Sequence, residues 1–191
     1  RASAQGMLHL RASKPMSQAQ GRIPTVTVDM LQDNRLFHGV DRSALTRLQT
    51  EFKAEMSQPG EWIIREGDVA DFMFVILNGE LEVVSHGGGP SADVRVALLG
   101  PGDWVGEMAI LDAQPQRSAS VRALAPSLLV RMTVAQMQRL QENELAVYAE
   151  IMKNIAREVA RRLRVADRLI ARSSAAMAKQ YVLESRHPPK S

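Results

Sequence analysis

Cysteine is absent from the 191 residues of the chain. Its absence excludes disulfide bonds and thiolate chemistry, and it fits a reducing compartment such as the cytoplasm, where we expect the protein. No apolar run approaches the roughly 20 residues that a membrane-spanning helix needs, so we expect no membrane span in this chain. The sequence also offers no nucleophile–base pair and no metal cluster, because its histidines are scattered, at His9, His38, His86 and His187. We therefore expect neither enzymatic activity nor a cofactor.

Charge of one sign is not in large excess either. The chain carries 24 Lys and Arg against 21 Asp and Glu, a formal net charge of +3. Many of the arginines fall between 157 and 172, on all sides of a predicted helix, which is typical of a solvated face. The 21 residues after Ile170 are too few for a winged helix or a helix-turn-helix. Direct nucleic-acid binding is not expected of this chain.

The texture of the sequence divides the chain into four parts. We predict an N-terminal arm at 1–34, which need not all be native, and a β-rich domain at 35–142. A long helix is predicted at 143–175 and a frayed tail at 176–191. An apolar share of 45% is ample for a packed core in the middle parts.

Short apolar runs alternate with glycine-containing turns between Glu61 and Met132. This alternation predicts a mainly β fold with flanking helices, a double-stranded β-helix or jelly-roll-like β-roll. Asn78-Gly79 lies between two of the runs and predicts a β-hairpin, because both central residues of a type I′ turn need positive φ. The runs cover 62–64, 72–77, 81–84, 94–99 and 128–132.

Helices are predicted on both sides of the β region. On the N-terminal side, Asp41 or Ser43 can cap a helix that carries Leu45, Leu48 and Phe52 on one face and ends at 58–60. On the C-terminal side, a short helix is predicted around 134–140 and a longer one from about Glu144 to Ala175.

The longer helix carries an apolar stripe at helical spacing. One domain is too small to cover a helix of this length, so the stripe favours a homodimer in which the helix meets its copy. Packing against the chain's own β domain is the alternative. The stripe consists of Ile151, Ile155, Val159, Leu163, Ala166 and Ile170.

The segments 102–111 and 114–119 carry the most chemical information. A short helix beginning near Met108 would present unpaired backbone N–H groups to one anionic phosphate. Arg117 adds a charge-assisted and potentially bidentate contact to phosphate oxygens, and Ser118 offers a further donor. Glu107 only accepts hydrogen bonds when ionised, so it suits a sugar hydroxyl, or Arg117 itself when no ligand is bound. One phosphate beside one sugar hydroxyl describes a nucleotide.

At these residues the sequence resembles the cyclic-nucleotide-binding domain family, which includes catabolite-activator-type regulators, kinase regulatory subunits and gated channels. The resemblance covers about 35–170. Gln116 departs from the pattern, because it widens the more usual Pro-Arg to Pro-Gln-Arg. The residues that carry the resemblance are Gly60, Gly67-Asp68, Gly79, Gly102-Asp103, Gly106-Glu107-Met108-Ala109 and Arg117-Ser118-Ala119.

The resemblance implies a role for each matching residue. Glu107 would accept from the ribose 2′-hydroxyl, Arg117 and Ser118 would hold the phosphate, and the backbone of Gly106, Met108 and Ala109 would cradle it. The apolar walls around base or sugar would come from Val96, Leu77 and Met108. On the long helix, Asp167 lies where a base-contacting residue is expected, although an ordinary solvent-facing aspartate explains it as well.

The expected function is that of a cyclic-nucleotide-binding regulatory domain that takes cAMP or cGMP and signals through its C-terminal helix to an unknown effector. Two alternatives stay open. The chain could be a truncated catabolite-activator-type transcription regulator that lacks its DNA-binding domain. It could also be an interaction scaffold that keeps the fold without binding nucleotide.

Overall fold

The computed structural model describes residues 24–85, 94–112 and 116–186. The helices are α1 Val28–Gln32, a 3₁₀ turn at Arg35–Phe37, α2 Arg42–Leu48, α3 Met108–Leu111, α4 Val134–Asn143 and α5 Leu145–Arg186. The strands are β1 Lys53–Ser57, β2 Trp62–Ile64, β3 Phe72–Asn78, β4 Leu81–Ser85, β5 Val94–Leu99, β6 Trp104–Val105, β7 Ser120–Ala123 and β8 Ser127–Thr133.

The strands form a sandwich of two four-stranded sheets. One sheet has the order β1-β8-β3-β6 and the other the order β2-β7-β4-β5, and all neighbours in both sheets are antiparallel. The prediction of a mainly β fold with flanking helices and a long C-terminal helix is confirmed. Alternate residues of the strands face inward and fill the space between the sheets, among them Phe74, Ile76, Leu81, Val121 and Leu129.

A second apolar core lies between the helices and the outer face of the β1-β8-β3-β6 sheet. The first half of α5 contributes Ile151 and Ile155, which are fully buried in this core. Asn154 between them donates from Nδ2 to the backbone oxygens of Leu36 and His38, at 2.9 and 2.8 Å. These bonds attach α5 to the 3₁₀ turn, so the start of the long helix has a defined position on the domain.

Two local predictions were wrong. Residues 53–57 form β1 and not the end of a helix, which stops at Leu48, because β1 pairs along its whole length with β8. Asn78-Gly79 does not close a hairpin, since β3 and β4 belong to different sheets. Gly79 has φ +99°, and the turn transfers the chain from one sheet to the other. The cap of α2 is Asp41, whose carboxylate accepts from the amide of Ser43 at 2.7 Å.

The long helix α5 begins one residue after its predicted start and continues to Arg186, beyond the predicted end at Ala175. Its apolar stripe changes environment along its length. Ile151 and Ile155 are buried, whereas Leu163 and Ile170 are 60% and 64% exposed. In the part of the chain that the structure describes, no helix combines the length and apolar character needed to cross a membrane.

Candidate functional site

A cavity of about 510 Å³ lies between the β sandwich and the middle of α5. The sandwich side is built from β4, β5 and the segments 105–109 and 116–119. The α5 side is built from Arg161, Arg162, Val165, Ala166 and Leu169. The volume falls within the usual range for a small-molecule site, and most of the wall is apolar with a few converging polar groups.

Arg117 is the most deeply buried cation at the cavity, with 6% of its surface exposed. The backbone holds the residue on both sides, since its amide donates to Asp68 O at 2.8 Å and its carbonyl accepts from Gly67 N at 2.9 Å. The side chain donates from Nη1 to Phe72 O at 2.7 Å and to Gly106 O at 3.4 Å. Nη2 is buried and has no hydrogen-bond partner among the residues that the structure describes.

A buried donor without a partner costs free energy, about 1–3 kcal/mol and more for a charged group. Burial also lowers the pKa of Arg117, because desolvation disfavours the cation, while the carboxylates of Asp71 and Asp68 act in the opposite direction. An arginine side chain is not deprotonated in proteins, so Arg117 stays positively charged. A cation held in this way is suited to an anionic ligand.

Gly106 is placed directly against this guanidinium. Its φ of +84° is unfavourable for other residues. A Cβ on Gly106 would also lie 2.8 Å from Nη1 of Arg117. Glycine is therefore required here for two reasons, the backbone conformation and the space that the arginine occupies.

Glu107 follows Gly106 and is 7% exposed. Its carboxylate accepts from Nη1 of Arg162 at 3.1 Å, and not from Arg117, the side-chain partner expected from the sequence. Arg162 also donates from Nη2 to Trp104 O at 3.0 Å and from Nε to Glu158 at 3.0 Å. Arg162 thus connects α5 to Trp104 and Glu107 on the sandwich side of the cavity.

Glu158 joins several charged groups on α5 and beyond. It accepts two bonds from Arg161, at 2.6 and 2.8 Å, besides the bond from Arg162. Arg35 lies 3.9 Å away and also pairs with Asp103. The hydrogen bonds from Arg161, followed by those from Arg162, lower the pKa of Glu158 to about 2 against the effect of burial. The carboxylate is therefore ionised throughout the neutral range.

The structure brings most of the predicted site residues to one cavity. Leu77 instead packs against the core beneath the helices, and Asp167 is exposed on α5 and does not line the cavity. Sequence reasoning missed Arg162, since nothing distinguishes it from the other arginines of its helix. The predicted residues that line the cavity are Val96, Gly106, Glu107, Met108, Ala109, Arg117 and Ser118.

Comparison with known proteins gives the same family as these residues. Residues 55–144 match the family model described as "Cyclic nucleotide-binding domain". The cyclic AMP receptor protein of Thermus thermophilus is 30% identical over 141 residues, which are 72% of this chain and 61% of that protein. A cyclic nucleotide-gated cation channel of Drosophila melanogaster is 33% identical over 107 residues, 53% of this chain and 16% of the channel polypeptide.

Solved structures of cyclic nucleotide-binding proteins have a similar fold. The Thermus thermophilus catabolite activator protein superposes with a TM-score of 0.62 at 30% identity, covering 74% of this chain and 63% of that one. A cyclic nucleotide-binding domain from Methylobacillus flagellatus superposes with a TM-score of 0.67 at 22% identity, covering 76% and 81%. Residues 55–144 therefore match the cyclic nucleotide-binding domain family, in a fold similar to that of the Thermus catabolite activator protein. The chain spans less than two thirds of the length of the Thermus and Drosophila relatives.

Proposed function

We propose that the chain is a regulatory domain that binds a cyclic 3′,5′-nucleotide, cAMP or cGMP, in the cavity between the sandwich and α5. In this proposal Arg117 and Ser118 hold the cyclic phosphate, together with the backbone of Gly106, Met108 and Ala109. The family resemblance supports this set of roles, as does the Thermus relative, which is a cyclic AMP receptor protein.

The observation that carries the proposal is the state of Arg117. Its Nη1 is committed to two backbone oxygens, whereas its Nη2 is buried and lacks a partner among the described residues. A phosphate oxygen would satisfy this donor and neutralise the cation, and charge-assisted bonds of this kind are about twice as strong as neutral ones.

Glu107 is the proposed partner of the ribose 2′-hydroxyl. It lines the same cavity, and its carboxylate carries one bond from Arg162, which leaves acceptor capacity on a group that can take several bonds. A carboxylate facing the sugar and a guanidinium facing the phosphate would fix the direction in which the nucleotide lies.

The output of the domain is proposed to pass through α5. Val165, Ala166 and Leu169 form one wall of the cavity, so a ligand that fills it changes what the helix packs against. The exposed Leu163 and Ile170 support a homodimer through the same helix, because two apolar side chains at this spacing suit a helix–helix seam. The effector would then sense the position of α5.

Isothermal titration calorimetry of the purified chain with cAMP, cGMP and a cyclic dinucleotide, side by side, tests the proposal. One of the two mononucleotides should bind, and Arg117→Ala should cost about 2–5 kcal/mol of its binding free energy, because the phosphate would lose its desolvated partner. Glu107→Ala should weaken the ribonucleotide and cause no further loss for its 2′-deoxy analogue.

The matched control is Arg95→Ala. Arg95 is an exposed arginine of β5 that does not line the cavity, so its removal should leave the affinity unchanged. If neither mononucleotide binds, or if the Arg117 variant binds as tightly as the wild type, the proposed function is wrong. An absence of thermal stabilisation by both mononucleotides would favour the scaffold alternative.

A further inference from the structure

Phe72, the first residue of β3, lies against two guanidinium groups. The carbon Cζ of Arg117 is 4.3 Å from the centre of the Phe72 ring, and Cζ of Arg131 is 3.7 Å from the same centre. Both distances are well within the range of a cation–π contact. Arg117 belongs to the cavity, whereas Arg131 lies on β8 with a third of its side chain exposed.

We propose that Phe72 is a positioning residue for Arg117, which its ring and its carbonyl oxygen together hold in the orientation that binds the ligand's phosphate. This inference rests on the proposed function, because it gives Phe72 a part in the same phosphate site. Phe72 lies outside the segments 102–111 and 114–119, yet its aromatic side chain would control the affinity of that site.

Phe72 contacts Arg117 in two different ways. Phe72 O accepts from Nη1 at 2.7 Å, which limits how far the guanidinium can slide. The ring lies against Cζ, which limits how the guanidinium plane can tilt. With both restraints present, Nη1 is occupied and Nη2 is the end of the guanidinium without a partner among the described residues.

The ring of Phe72 is itself held in place by its neighbours. Phe74 packs edge-on against it, with ring centres 5.0 Å apart at 67°. Arg131 pairs with Phe74 across β3 and β8, so it is the diagonal neighbour of Phe72 on the same face of the sheet. A ring held by two neighbours cannot turn away from Arg117 at little cost, which makes it a rigid support.

The charges around the ring of Phe72 are balanced. Two cations at one ring repel each other, and Asp71 and Glu55 lie 3.9 and 3.8 Å from Arg131. These carboxylates offset the charge of Arg131, and the negative face of the ring is attractive to both guanidinium groups. The arrangement therefore allows Arg131 to support the ring while Arg117 keeps its positive charge for a ligand.

A double-mutant cycle tests the inference. Phe72→Leu should weaken binding of the preferred mononucleotide by about 3- to 30-fold, the worth of a partly desolvated cation–π contact. In an Arg117→Ala background, followed by nuclear magnetic resonance up to millimolar nucleotide, Phe72→Leu should have no further effect. Phe72→Tyr keeps the ring and should restore most of the affinity.

The control is Phe52→Leu, which removes a buried ring that packs against Phe37 in the core beneath the helices and does not line the cavity. It should lower the free energy of unfolding and leave the affinity of the folded protein within about twofold. An equal loss of affinity for Phe72→Leu in both backgrounds, or no loss in the wild-type background, overturns the inference.

A ligand-free measurement separates this inference from the proposed function. The Nε–Hε resonance of Arg117 should be shifted upfield by the ring of Phe72, and Phe72→Leu should remove that shift. If the shift is present but neither mononucleotide binds, the proposed function fails alone. If Phe72→Leu leaves the resonance unchanged, the positioning role is wrong whatever the protein binds.

Discussion

Glu158→Gln tests how much the charged cluster on α5 contributes to the free energy of unfolding. The substitution keeps the size of the side chain and one oxygen acceptor but removes the negative charge. Glu158 is buried, with 6% of its side chain exposed, and it accepts from both Arg161 and Arg162. The variant therefore leaves two arginines without their common anion.

The magnitude follows from the pKa of Glu158. The pKa is about 2 in the folded chain and 4.5 for the unperturbed group. A difference of this size corresponds to about 3 kcal/mol of stability at neutral pH. Because the folded pKa is depressed, the contribution is complete above the unfolded pKa and is lost as the pH falls from 4.5 through 2.

The assay is urea unfolding of the wild type and the variant, from pH 7 down to the lowest pH at which both are folded without urea. The variant should be less stable by about 3 kcal/mol at pH 7, and the gap should narrow below about pH 4.5. Glu150→Gln is the matched control on the same helix, since the pair of Glu150 with Lys153 is partly exposed and worth about 0.5 kcal/mol. A gap that stays constant with pH, or a variant as stable as the wild type, would refute the reasoning.

Two further predictions concern the turn between the sheets and the attachment of α5. Gly79→Ala should lower the free energy of unfolding by about 3 kcal/mol or more, because the new Cβ would lie 2.5 Å from Ser127 Cα at a positive φ. Gly60→Ala, with a similar φ and open space, should cost only about 1 kcal/mol, and equal melting temperatures of the two variants would contradict this. Arg162→Ala should speed the hydrogen exchange of backbone amides in the following turns of α5 by about tenfold, since it removes the bonds to Glu107 and Trp104. The exposed Arg164→Ala should not change that exchange, and similar rates in both variants would argue against the attachment.

The β-rich texture and the helical ends can be predicted from sequence because each is a local pattern. Apolar runs of strand length, glycine turns and helical spacing are visible within windows of a few residues. The residue types around Glu107 and Arg117 are visible for the same reason, since they lie close together in the chain. The hydrogen-bond partners of Glu107 and Arg117 lie far away in the sequence and are not visible in such windows.

Where a local sequence pattern predicts the wrong secondary structure, packing between distant segments determines the observed one. The segment Lys53–Ser57 has weak β propensity and is a strand because β8 supplies a complete row of partners. Asn78-Gly79 has the composition of a hairpin, but its flanking strands pair elsewhere: β3 pairs with β8 and β6 in one sheet, and β4 pairs with β5 and β7 in the other. Propensity is a weak prior that tertiary contacts override.

By itself the sequence determined the mainly β class, the long helix and the residue types of an anion-and-sugar site, since these depend on short-range order. Tertiary structure alone decided that Arg162, 55 residues from Glu107 in the chain, reaches that carboxylate, and that Phe72, 45 residues from Arg117, supports that guanidinium. It also decided that Asp167 turns to solvent while Ala166 faces the cavity. The reason is physical: which face of a helix or strand meets a site depends on how distant segments pack, and a single sequence does not state that packing.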